Sequence, residues 1–202
     1  MLSIIIILFY SGTNITMNLA LYIFDNDIQR PDLYTPYMII VGVTEFITML
    51  VFFPLLRKKI KNRFIMMIGF ICGILGYAAL FFVTFMQKFT FIKIVIPSLL
   101  IAVAIGFAYV LITVFIANAV DYGEAKNGKR QNSMVSSLQT LMSKLATSIS
   151  IFLTGIGIDW IKYSDSASQA RDILVRERLL LSVPSLVLLV IALILLIKRK
   201  DL

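Results

Sequence analysis

Six apolar runs of about 20 residues, separated by short charged segments, constrain this chain more than any other feature. They cover approximately 1–24, 36–56, 64–86, 94–120, 133–158 and 179–197. Runs of that length and composition are read as membrane-crossing helices, because only a helix satisfies its own backbone within lipid. The chain is 59% hydrophobic and 15% charged, whereas soluble domains average about 45–50% and about 25%. The fold class expected is an all-α membrane protein of six spans, partnered by the lipid bilayer. Pro36, Pro97 and Pro184 are expected in the first turn or so of their helices, where proline is tolerated. The first run has no basic lead and is too long for a signal peptide, so it is read as a span.

Net charge is +8, but the basic residues lie in short clusters between spans, a pattern of retention at a membrane surface and not of nucleic-acid binding. The 57–63 loop "RKKIKNR", the 121–132 loop and the tail "KRK" together hold eleven Lys and Arg. The alternate connections hold seven, along with seven acids. Both termini are therefore expected on the cytoplasmic side of a cell membrane. Met1 opens directly into a span without a positive anchor, so the expectation is a chain that begins in the middle of something longer.

No histidine is present, which removes Ser-His-Asp hydrolysis and His-dependent zinc sites. The one cysteine, Cys72, allows no intrachain disulfide and is read as a small buried hydrophobe. No nucleophile–base pair, metal cluster or nucleotide loop is apparent. The expectation is a non-enzyme with no metal and no cofactor.

Lys144 lies eleven residues into the fifth span, where a charge costs roughly 2.5–3.5 kcal/mol on insertion scales. Ser133, Ser137, Thr140, Lys144, Thr147 and Ser148 fall within about 60° of one direction at 100° per residue. Met134, Leu138, Leu141, Met142, Leu145, Ile149 and Phe152 occupy the opposite side. Tight helix packing accounts for the serines and threonines but not for the lysine. Glu45 is the other mid-depth ionisable residue; it needs a partner, a proton or water, and Lys144 is one partner to consider. In the first span Tyr10, Asn14, Asn18 and Tyr22 recur at four-residue spacing, and the fourth span adds Tyr109 and Thr113. Amides and aromatic rings on one face suit a sugar, and interhelical packing is the competing reading. Gly69 and Gly73 form a G-x-x-x-G read as helix packing.

The most specific stretch is 117–146, "ANAVDYGEAKNGKRQNSMVSSLQTLMSKLA": a helix ending in Asp-Tyr-Gly-Glu, a basic loop, then Gln-Thr-x-x-x-Lys. It resembles the glycoside–pentoside–hexuronide:cation symporters, the melibiose-carrier-like branch of the major facilitator superfamily. Essentially the whole chain matches the C-terminal half of that pattern. The resemblance implies twelve helices in two six-helix bundles, with residues 1–24 as helix seven and 179–197 as helix twelve. It implies a sugar or glycoside substrate bound between the bundles, with Na+ or H+ as co-substrate. Lys144 and Thr140 would then belong to the cation-coupling region, facing carboxylates of a missing N-terminal half. Gln139 and Lys144 would meet sugar, together with Asn14, Asn18, Tyr22 and Tyr109. Asp121, Glu124 and Arg130 would be cytoplasmic gate elements. Asn118 departs from the pattern, since many relatives carry aspartate there; "RKKIKNR" also lacks the usual glycine. The alternative is a self-contained six-helix membrane protein, channel-like or an assembly partner, or a non-functional fragment.

Overall fold

The computed structural model describes residues 2–86, 90–127, 132–161 and 171–198. Each apolar run forms a helix, and no strand occurs among the described residues. The first is α1, Leu2–Tyr22, which continues into a π turn, Ile23–Asp27. Next come α2, Tyr34–Ile47, a π turn at Thr48–Phe52, and the short α3, Phe53–Arg57. α4 spans Asn62–Thr84, α5 Phe91–Asn127, α6 Asn132–Trp160 and α7 Arg171–Lys198. Six of these helical stretches are long and apolar enough to cross a membrane.

Two helices outrun their apolar stretches. α5 begins before residue 94 and continues past 120 through Asp121 and Glu124, and α7 starts at Arg171, ahead of residue 179. Hydropathy marks where lipid contact ends, whereas helical hydrogen bonding continues as long as the backbone has partners. The proline expectation is corrected for the same reason. Pro36 does lie near the start of α2, but Pro97 and Pro184 fall inside α5 and α7.

An interior proline deprives a carbonyl one turn earlier of its donor. Around Pro184 neighbouring hydroxyls supply polar contacts. Thr16 Oγ1 lies 2.9 Å from the Tyr77 hydroxyl and 3.4 Å from the Leu181 carbonyl, so it can accept from Tyr77 and donate its one proton to the carbonyl. Ser185 Oγ donates to the Gly12 carbonyl at 2.7 Å. These buried groups cross from α1 to α4 and α7, and they hold the middle of the bundle where no water reaches.

α1 packs against α6 and α7, α4 packs against α5 and α7, and α2 lies along α5. The α4 glycines make the closest of these approaches. A Cβ on Gly73 would come within 2.7 Å of Leu189 and 3.1 Å of Ala104, and one on Gly76 within 2.8 Å of the Pro97 carbonyl. Lipid exposes the rest. Phe46, Phe82, Ile92 and Phe152 all stand more than half exposed, as expected of a surface whose solvent is hydrocarbon.

Candidate functional site

α1, α5 and α6 leave a recess of about 440 Å³ on the open side of the bundle, lined by Tyr10, Asn14, Tyr109, Gln139, Thr140, Ser143 and Thr147. That volume lies within the range of about 300–1,000 Å³ usual for small-molecule sites. The rings of Tyr10 and Tyr109 form one wall, their centroids 5.6 Å apart and their planes inclined at 44°. α6 supplies the opposite wall with a carboxamide and three hydroxyls.

The hydroxyls of Thr140 and Thr147 donate to the Ser136 and Ser143 carbonyls on their own helix, at 3.1 and 3.0 Å. Their oxygens remain as acceptors facing the recess, and Thr147 Oγ1 receives Asn14 Nδ2 at 3.3 Å. The Gln139 amide and the Tyr109 hydroxyl carry no hydrogen bond among the described residues, so both are available to a ligand. The lining combines aromatic faces, donors and acceptors without a formal charge, which suits a neutral polyhydroxylated ring.

The α1 row divides along its length. Residues four apart advance 40° around a helix, so a row of four cannot stay on one face. Tyr10 and Asn14 reach the recess, whereas Asn18 Nδ2 turns to Ser150 Oγ at 3.4 Å and joins α1 to α6. Tyr22, at the end of α1, accepts Asn26 Nδ2 at its carbonyl, 2.9 Å away. Asn18 and Tyr22 therefore lie outside the recess, and the packing reading applies to Asn18. Thr113 is also absent from the lining; its hydroxyl bonds the Tyr109 carbonyl at 3.0 Å.

α6 adds a third stripe to the polar and apolar faces read from its sequence. The residues that it buries are Ala146, Ser150, Thr154 and Gly157, a stripe of small side chains. Ser11 Oγ bonds the Ala146 carbonyl at 3.3 Å, and a Cβ on Gly157 would meet Leu180 at 2.5 Å. Close approach of backbones drives this contact, so small residues and not leucines mark the inner face. Leu141, Leu145, Ile149 and Phe152 are exposed instead.

Lys144 is exposed and lies about 120° around α6 from the small-residue stripe. It is not part of the recess lining, although Thr140, Ser143 and Thr147 beside it are. It has no acidic partner among the described residues. Glu45, half-buried on α2, likewise makes no ion pair there, so the two do not neutralise each other. Close packing of α2 on α5 fixes Glu45 in place: a Cβ on Gly106 would lie 3.0 Å from the Glu45 carbonyl. That contact sets Glu45 about one turn from Tyr109, since Gly106 and Tyr109 share a face of α5. Asp121 and Glu124 sit in the last turns of α5, while Arg130 lies outside the described residues.

Sequence reasoning did not single out Ser143 as a lining residue, and it missed the buried Asp27–Arg178 pair. Ser143 lies about 100° around α6 from Lys144, outside the polar face and within the arc of the small-residue stripe, so periodicity marked it as a packing residue. Nothing in sequence spacing connects Asp27 with a residue 151 positions later.

Comparison with known proteins bears on the whole chain. The family described as "MFS/sugar transport protein" matches residues 1–199. The "Uncharacterized symporter YjmB" of Bacillus subtilis (strain 168) is 28% identical over 186 residues, covering 88% of this chain and 38% of that protein. The "Isoprimeverose transporter" of Lactiplantibacillus pentosus is 30% identical over 103 residues, 51% of this chain and 21% of the relative. The chain thus spans well under half the length of these relatives.

Proposed function

The chain belongs to the MFS/sugar transport protein family, and on that premise we propose that it forms the C-terminal six-helix half of a sugar:cation symporter. The observation that carries this reading is the uncharged recess of α1, α5 and α6, open on one side, with Lys144 next to it and aimed out of the bundle. The relatives' printed names, a symporter and a transporter of isoprimeverose, favour a sugar or glycoside as cargo.

In the mechanism proposed, Tyr10 and Tyr109 stack on the sugar ring, and Asn14, Gln139 and the α6 hydroxyls bond its hydroxyls. An N-terminal six-helix half closes the other side of the recess. Lys144 meets carboxylates of that half. A coupling cation, Na+ or H+, competes with the ammonium for those carboxylates and thereby shifts the balance between inward- and outward-open arrangements. Asp121 and Glu124 stand at the end of α5, where they serve a cytoplasmic gate. The protein works in the cell membrane with both termini inside, as the distribution of basic residues favours.

The recess is tested in a complete carrier made by supplying a matching N-terminal half. Asn14→Ala and Gln139→Ala each remove hydrogen bonds to a buried polar ligand, which lowers sugar affinity by about tenfold or more, an effect of roughly 1.5–3 kcal/mol. Sugar binding that neither substitution weakens would exclude the recess as the sugar site.

A further inference from the structure

The end of the bundle opposite the basic 57–63 turn carries a junction outside the recess described above. Asp27 closes the π turn that follows α1, Arg178 lies early in α7, and Thr84 ends α4. Arg178 Nε and Nη2 donate to the two carboxylate oxygens of Asp27 at 2.5 and 2.6 Å. Its Nη1 donates to the carbonyls of Thr84 and Met86, at 3.0 and 3.3 Å. The side chains of Arg178 and Asp27 are 8% and 3% exposed. One guanidinium thus neutralises one carboxylate and gathers the ends of three helices.

Glu177 precedes Arg178 and is 1% exposed. Neither of its carboxylate oxygens has a hydrogen-bond partner among the described residues. Among the described residues the charged groups that face it are Asp27 and Asp25 from the end of α1 and Arg178 on its own helix, with Asn26 as a neutral polar neighbour. The end of α4 contributes carbonyls, which Arg178 engages. Two buried carboxylates therefore share a site where the guanidinium is committed to one of them. Among the described residues an ionised Glu177 would have the Asn26 side chain beside it and would share Arg178 with Asp27, less than a buried charge requires.

We propose that Glu177 is a proton-binding site: it takes a proton from the aqueous phase at this end of the bundle, and the neutral acid keeps the Asp27–Arg178 junction closed. When the proton leaves, a second carboxylate competes with Asp27 for the guanidinium, and the three helix ends loosen. Proton loss from Glu177 is thus linked to opening of the junction, which loosens as pH rises. None of the junction residues lines the recess.

The test uses the full chain in lipid nanodiscs with Cys72→Ala and Met86→Cys, with and without Glu177→Gln. Met86 is half exposed and its backbone carbonyl belongs to the junction, so labelling there reports loosening. Maleimide labelling is compared between about pH 5 and about pH 9, and the ratio of the two rates cancels the thiol's own titration. The expected result is a rate in the glutamate form at least ~10-fold above that of the glutamine form at the alkaline end, and equal rates at the acidic end. The acid-minus-alkaline infrared difference spectrum should contain a protonated-carboxyl component in the glutamate form that is lost on Glu177→Gln. A rate ratio near one throughout, or no such band, would overturn the proposal. So would a glutamine variant that unfolds, because a neutral isostere should preserve the closed junction.

Discussion

Lys144 is exposed on the bundle that carries it, and the coupling role proposed for it depends on that exposure. A charge at the centre of a span costs roughly 2.5–3.5 kcal/mol to insert, so Lys144→Ala should leave folding and insertion intact. In a complete carrier the same substitution should abolish cation-driven sugar accumulation and do less to cation-independent exchange, because the recess is lined by other residues. Uphill accumulation at the normal level would remove Lys144 from coupling. Arginine should substitute poorly, since a planar guanidinium does not behave as the compact point charge that a small cation replaces. Lys144 was legible in the sequence because one ammonium among apolar residues needs no alignment to be noticed. Ser143 was not, because a serine in the arc of the small packing residues carries little hydropathy of either sign. Four-residue spacing grouped Asn18 with Asn14, although each such step turns 40° around the helix, and Asn18 bonds Ser150 while Asn14 lines the recess.

At the scale of helices, backbone proximity decides which faces meet. Gly76→Ala places a methyl within 2.8 Å of the Pro97 carbonyl and 3.2 Å of the Ile101 amide nitrogen, both on the α5 backbone. Backbone yields less readily than a side chain, so the substitution should cost about 1–3 kcal/mol. Gly155→Ala is the control. Nothing lies within 4 Å of its Cβ position, and alanine there should be neutral or stabilising by up to about 1 kcal/mol. Thermal unfolding in detergent checks the pair; equal losses at both positions would contradict the packing assigned to α4. The G-x-x-x-G of Gly69 and Gly73 announced a packing face, but its partners were invisible, because only tertiary structure brings Ala104 and Leu189 to it. The helix ends were legible only where charge coincides with the end of hydrogen bonding. α5 and α7 run on through charged residues that a hydropathy window excludes.

For the whole molecule, the six spans and their spacing were plain in the sequence, since lipid admits few alternatives to a helix of this length. Their mutual arrangement was not, because lipid exposes leucine and phenylalanine on the surface and uses small residues for contact. Orientation rests on the eleven basic residues of one set of connections. A cysteine introduced at Asn62, with Cys72 replaced, should resist an impermeant maleimide added outside intact cells; efficient labelling would invert the topology.

The central claim is that this chain is one half of a sugar site and of a coupling network. Cation-gradient-driven sugar uptake into sealed vesicles tests it most directly, with the 202-residue chain alone or together with a matching N-terminal half. The chain alone should accumulate no sugar above empty vesicles, because its recess is open on one side and Lys144 lacks an acidic partner among the described residues. Supplying the other half should restore accumulation that collapses when the cation gradient is dissipated. Gradient-driven uptake by the chain alone would contradict the account.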